Sequence, residues 1–103
     1  MREMLKFYIN GEWVNPVTPN PFDVINPATE EVCGRISLGS TEDVKKAVTA
    51  AKFAFMSYAK TTRDERIALL ERILEEFSKR HDEIATVIME EMGAPWKLAK
   101  YAQ

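Results

Sequence analysis

The sequence predicts an α+β chain in which short strands come first and amphipathic helices follow. Three observations carry that reading. β-forming runs punctuated by turn residues occupy 1–39. From residue 40 to 103 the apolar period lengthens from 2 to about 3.6. Two capping boxes mark where helices begin.

The strand region opens with Phe7-Tyr8-Ile9 and Trp13-Val14, which flank Asn10-Gly11-Glu12. Asn-Gly between β-formers predicts a hairpin, because a type I′ turn needs positive φ at both central residues. Pro16, Pro19 and Pro21 mark a linker, since proline cannot donate to a central ladder. Phe22-Asp23-Val24-Ile25-Asn26 reads as a third strand and Pro27-Ala28-Thr29-Glu30 as a turn. Val32, Gly34, Ile36 and Leu38 alternate, which predicts one face of a fourth strand. Two hairpin-like strand pairs are therefore expected.

Ser40, with Asp43 three residues on, predicts a helix start: a hydroxyl takes an orphan amide, and an acid sits at the positive end of the dipole. Val44, Ala47, Val48, Ala51, Ala54, Phe55 and Tyr58 form its stripe, over about 40–60. Thr62 with Glu65 opens a second helix, expected to run unbroken over 62–92. Its seam is Ile67, Leu70, Leu74, Phe77, His81, Ile84 and Ile88, in heptad-like steps of 3 and 4. Gly93 supplies a left-handed stop, and Pro95 can occupy the first position of a third helix. That helix, from about 94 onward, keeps its pattern through Gln103, which suggests a piece of a longer chain.

Composition narrows the function classes. The net charge is −2 and no basic block occurs, so the electrostatic footprint of a nucleic-acid binder is missing. No apolar run approaches the roughly 18 residues that cross a bilayer. Met1 to Lys6 mixes charges with apolar residues and has no signal-peptide core, so the chain reads as cytoplasmic. One cysteine excludes an internal disulfide and a multi-cysteine metal site. Glycines 11, 34, 39 and 93 form no Gly-x-Gly-x-x-Gly loop, so no cofactor is expected for this chain alone. His81 is expected at the edge of the helical seam, with its polar tip hydrogen-bonded or wet. Cys33 is expected to be a structural, half-buried thiol of a strand. The carboxylates fall at helix starts or on exposed faces, and no acid/base pair or catalytic residue is singled out.

Motif order adds a family. Tyr8-Ile9-Asn10-Gly11-Glu12-Trp13-Val14, then Val24-Ile25-Asn26-Pro27-Ala28-Thr29-Glu30-Glu31-Val32, closely resembles the opening of the aldehyde dehydrogenase superfamily. Thr41 to Val48, Ala50-Ala51, Ala54-Phe55, Glu65-Arg66 with Leu69-Leu70, and Glu90-Glu91-Met92-Gly93-Ala94-Pro95 continue it in order. Ala94 departs from the commonest pattern, which has Lys there.

The resemblance implies an α+β piece of an α/β enzyme, within the amino-terminal cofactor-binding domain of a longer parent. It implies a parent that oxidises an aldehyde to a carboxylic acid with NAD or NADP, and that forms a homo-oligomer. The family's catalytic and cofactor-binding residues lie downstream, and none can be placed on this sequence. Some members bind a monovalent cation through backbone carbonyls before this Asn-Pro, which points to Val24 and Ile25. The competing expectation is a freestanding helical interaction module built on the heptad-like seam. Either way the apolar helix faces need a cover, so the chain is not expected to persist as a compact monomer.

Overall fold

The computed structural model describes residues 1–102 and groups the chain into two compact units. One consists of Met1–Val24 with Val32–Lys60, the other of Ile25–Glu31 with Thr61–Gln103.

In the first unit the Asn-Gly hairpin forms as expected. β2 (Phe7–Ile9) and β3 (Glu12–Val14) pair antiparallel, with Tyr8 opposite Trp13 and their ring centroids 5.2 Å apart. Asn10 and Gly11 have φ of 55° and 79°, the positive values a type I′ turn demands. Ahead of it lies β1 (Arg2–Met4), which the sequence does not announce: three residues of mixed polarity show no period. β1 joins β4 (Pro21–Ile25) and β5 (Val32–Ser37) in a sheet of order β1-β5-β4. β1 and β5 run parallel, with Glu3 opposite Arg35. Arg35 reaches both neighbours, Asp23 at 2.8 Å and Glu3 at 3.9 Å. The Ser37 hydroxyl donates to the Leu5 carbonyl at 2.7 Å and holds the chain beyond β1.

One strand expectation needs correction: Pro21 is not confined to the linker but is the first residue of β4, where an edge strand tolerates it. The expected strand with Val32, Gly34 and Ile36 alternating forms as β5. Gly34 is buried, but Val32, Ile36 and Leu38 stay 39%, 39% and 42% exposed. Gly34 offers only backbone, and an added Cβ would touch the Arg2 carbonyl at 3.4 Å.

α1 (Thr41–Tyr58) begins at Ser40 with the full capping box: Ser40 accepts from the Asp43 amide, and Asp43 accepts from the Ser40 amide. Its apolar stripe forms but is not buried, with Val44 59% and Phe55 66% exposed.

The second unit starts with the turn. Asn26 accepts from the Ala28 amide at 2.9 Å, its own amide donates to the Glu31 carbonyl at 2.9 Å, and Glu30 takes φ 62°. α2 (Arg63–Lys79) has the expected Thr62–Glu65 capping box. The single helix expected over 62–92 is, however, two. α2 closes at Arg80, with φ −108° and ψ 15°, and α3 (His81–Met92) follows directly. The Arg80 amide donates three residues back to Phe77, the tight closure of a helix end. Lys79 at the end of α2 and Asp82 with Glu83 at the start of α3 each suit the dipole of their own helix. Arg80 clasps Glu83 through two bonds of 2.7 and 3.0 Å. The heptad-like seam is thus divided between two helices.

Gly93 closes α3 with φ 71°, and Pro95 sits just outside α4 (Trp96–Tyr101) rather than at its first position. The helix expected to keep its pattern through Gln103 instead closes after Tyr101, where the Ala102 amide donates to the Leu98 carbonyl; Gln103 itself lies outside the described residues. α4 folds onto α3 through Ala85 and Ala99, 0% and 2% exposed, whose small side chains permit close approach. Among the described residues no large side chain is fully buried.

The two positive-φ glycines separate strain from crowding. An added Cβ meets nothing within 4 Å at Gly11, but lies 2.8 Å from the Pro27 ring at Gly93. Gly11→Ala should cost about 1–2 kcal/mol, the penalty of a left-handed alanine. Gly93→Ala should cost more, because the ring must also move. Urea unfolding followed through Trp13 and Trp96 in single-tryptophan variants checks this; equal losses would refute the assigned clash.

Candidate functional site

The charged side chain buried most deeply among the described residues is Asp43, 5% exposed. One carboxylate oxygen accepts from the Ser40 amide and the Ser40 hydroxyl, each at 2.9 Å. The other accepts from the Val17 amide at 3.0 Å. Asp43 therefore starts α1 and also ties the proline-bearing linker to that helix. The sequence announces the first role through spacing; the second joins residues 26 apart and had no local signal. Hydrogen bonds from the Ser40 and Val17 amides hold the Asp43 carboxyl below its ordinary pKa, against the opposing effect of burial. A carboxylate saturated with donors and kept ionised is a poor general base, because the bonds that hold it lower its proton affinity.

Beside it an open cleft of about 590 Å³ separates the hairpin from α1. Ile9 and Val14 line one side, Ala50 and Phe53 the other, with Asn10 and Lys46 at polar positions.

Cys33 is half-buried in β5, and its Sγ donates to the Val24 carbonyl at 3.4 Å. That agrees with a structural thiol. Val24 and Ile25, the expected carbonyl ligands of a monovalent cation, close β4; the Val24 carbonyl already serves Cys33. Among the described residues no group of three His, Cys, Asp or Glu is placed to hold a metal ion. His81 behaves as expected: half-buried, its Nε2 lies 2.7 Å from the Lys100 carbonyl and its ring 5.8 Å from Phe77. Lys100 returns to α3 through Asp82 at 2.9 Å, which raises its pKa.

At the starts of α1 and α2 the Ser40 and Thr62 boxes engage helix-start amides, and Asp43 and Glu65 place negative charge there, which disfavours a pyrophosphate at those two positions.

Residues 13–103 match the model of the aldehyde dehydrogenase family. The chain belongs to that family. It is 50% identical over 95 residues to the 3-succinoylsemialdehyde-pyridine dehydrogenase of a Pseudomonas species, covering 92% of this chain and 20% of that dehydrogenase. Its fold superposes on an aldehyde dehydrogenase from Bartonella henselae with a TM-score of 0.97 and 49% identity, over 99% of this chain and 21% of the other. A Pseudomonas syringae aldehyde dehydrogenase variant, solved in complex with NAD+ and octanal, gives a TM-score of 0.90 and 42% identity over 93% and 20%. This chain thus spans about one fifth of the length of the dehydrogenases it matches, and the part matched is amino-terminal.

The Asp43 tether makes a signed pH prediction. Its folded-state pKa lies below the unfolded value of about 3.9. Its contribution is therefore present above that value and lost as pH falls through the folded-state pKa. Asp43→Asn should lower stability at neutral pH and flatten the acid limb of the profile. Unfolding midpoints between about pH 6 and pH 2 test it; parallel acid losses in parent and variant would discard the role.

Proposed function

We propose that this chain forms the amino-terminal part of an NAD(P)-dependent aldehyde dehydrogenase, and that its own contribution is structural. The whole enzyme oxidises an aldehyde to a carboxylic acid, with NAD or NADP as hydride acceptor. The observation that carries the reading is the fit of nearly the entire chain to the Bartonella henselae enzyme at a TM-score of 0.97. The P. syringae relative, bound to NAD+ and octanal, supports the cofactor and substrate classes.

We assign the cofactor site and the reacting cysteine to other parts of the enzyme; the carboxylates that cap α1 and α2 support this for the cofactor phosphates, and the structural contact of Cys33 supports it for the nucleophile. We assign both the strand-rich 1–39 and the helical 40–103 to that enzyme's cofactor-binding domain. We further assign the enzyme to the cytoplasm and to a homo-oligomer. A monovalent cation at the Val24 and Ile25 carbonyls is part of the same reading, with its other ligands outside this chain. The freestanding helical module loses its basis, because the seam it relied on is interrupted at Arg80.

Two assays test this. Joined to the remaining four fifths of a relative, the chain should support reduction of NAD+ or NADP+ by an aldehyde panel; alone it should give none. Cys33→Ser should leave that turnover within about twofold, since its thiol serves the Val24 carbonyl. A loss of turnover comparable to removing a nucleophile would overturn the structural assignment.

A further inference from the structure

The chain has four asparagines, at 10, 15, 20 and 26. Pro16, Pro21 and Pro27 follow the last three, and Gly11 follows the first. That difference decides which side chain can react with its own backbone. The nitrogen of the next residue closes a neutral imide with an asparagine carboxamide only if it has a proton to give up, and a prolyl nitrogen has none. Glycine has one, and no side chain to shield it. Exposure does not make the distinction, since Asn15 and Asn20 are exposed as Asn10 is.

The fold leaves the Asn10–Gly11 pair accessible. They are the central residues of the turn between β2 and β3, at φ 55° and 79°. Among the described residues neither the Asn10 carboxamide nor the Gly11 amide makes a hydrogen bond within the protein. A Cβ built on Gly11 meets nothing within 4 Å. Asn26, by contrast, commits its carboxamide oxygen to the Ala28 amide. β2 and β3 form a sheet of their own with three residues in each strand, and so short a two-stranded ladder opens readily. Rotation about the Asn10 Cα–C bond then brings the Gly11 nitrogen to the carboxamide carbon.

We infer that Asn10 is a self-modification site, where the chain converts its own asparagine to aspartate and isoaspartate. The Gly11 nitrogen bonds to Asn10 Cγ, the Cγ–Nδ2 bond breaks, and the Gly11 amide proton leaves with the amine as ammonia. The cyclic imide then takes up water. Opening at the side-chain carbonyl restores the ordinary backbone with an aspartate. Opening at the main-chain carbonyl routes the backbone through Cβ. Nothing is oxidised or reduced, and water is the sole co-reactant.

The two products differ in consequence. Asp-Gly suits a type I′ turn as Asn-Gly does. The isoaspartyl linkage adds a main-chain atom to a turn whose length sets the pairing of Tyr8 with Trp13 and of Ile9 with Glu12. The hairpin then loses its register, and β2, the strand that meets α1, loses its partner.

The test holds the chain at mildly alkaline pH and samples it over days. Peptide mass spectrometry, with fragmentation that separates the two linkages, reads each asparagine. Asn10 should convert with isoaspartate present, and Asn15, Asn20 and Asn26 should convert at least about tenfold more slowly, for want of an N–H on the next residue. Asn10→Gln, whose longer side chain must close a larger ring, should remove the isoaspartyl signal. Pro16→Gly should make Asn15 a second site. Amide hydrogen exchange across β2 and β3 should be about tenfold or more faster in the separated isoaspartyl form, while freshly prepared Asn10→Asp stays within about twofold of the starting chain. Retention of the Asn10 amide while Asn15 converts in Pro16→Gly overturns the inference, since the turn then protects its own residue. Conversion to aspartate alone overturns it too, because direct hydrolysis makes no use of Gly11. Unchanged exchange in the isoaspartyl form overturns the assigned loss of register.

Discussion

Among the described residues, the buried apolar side chains are two alanines, Ala85 and Ala99. An enclosed side chain of this size removes little surface from water, since stabilisation scales with the apolar area buried. The described structure therefore leans on short-range devices: a type I′ hairpin, two capping boxes, a left-handed stop at Gly93, and the carboxylate of Asp43. These set local conformation firmly. Long-range packing, by contrast, is left to surfaces that remain open.

Asp43 shows how such a device extends its reach. Its cap role would be served by one oxygen, and a carboxylate has two. The second oxygen takes the Val17 amide and draws the linker between β3 and β4 against the start of α1. His81 works similarly within the second unit, where its ring meets the Lys100 carbonyl while Asp82 takes the Lys100 ammonium. In both cases one polar residue serves its own helix and a segment distant in sequence.

The same economy bears on function. Helix N-termini are the sites at which a dehydrogenase fold holds phosphate. At the starts of α1 and α2 the capping carboxylates use those amides for structure, which disfavours an anionic ligand at these two positions.

The sequence by itself determined several features governed by local stereochemistry. Asn10-Gly11 dictates its turn, Ser40-Asp43 and Thr62-Glu65 dictate helix starts, and Gly93 dictates a stop, because each depends on φ or on amides within four residues. The order of motifs also marked the family. Tertiary structure decided the rest. The strand Arg2–Met4 exists because β5, some thirty residues away, offers it a ladder. The break at Arg80 divides a seam that periodicity read as continuous, since two helices can share one apolar rhythm while the backbone turns between them. Burial escaped the sequence for a deeper reason. Alternation along Val32 to Leu38 and the stripe of α1 state which faces seek a cover, but a pattern cannot supply the cover.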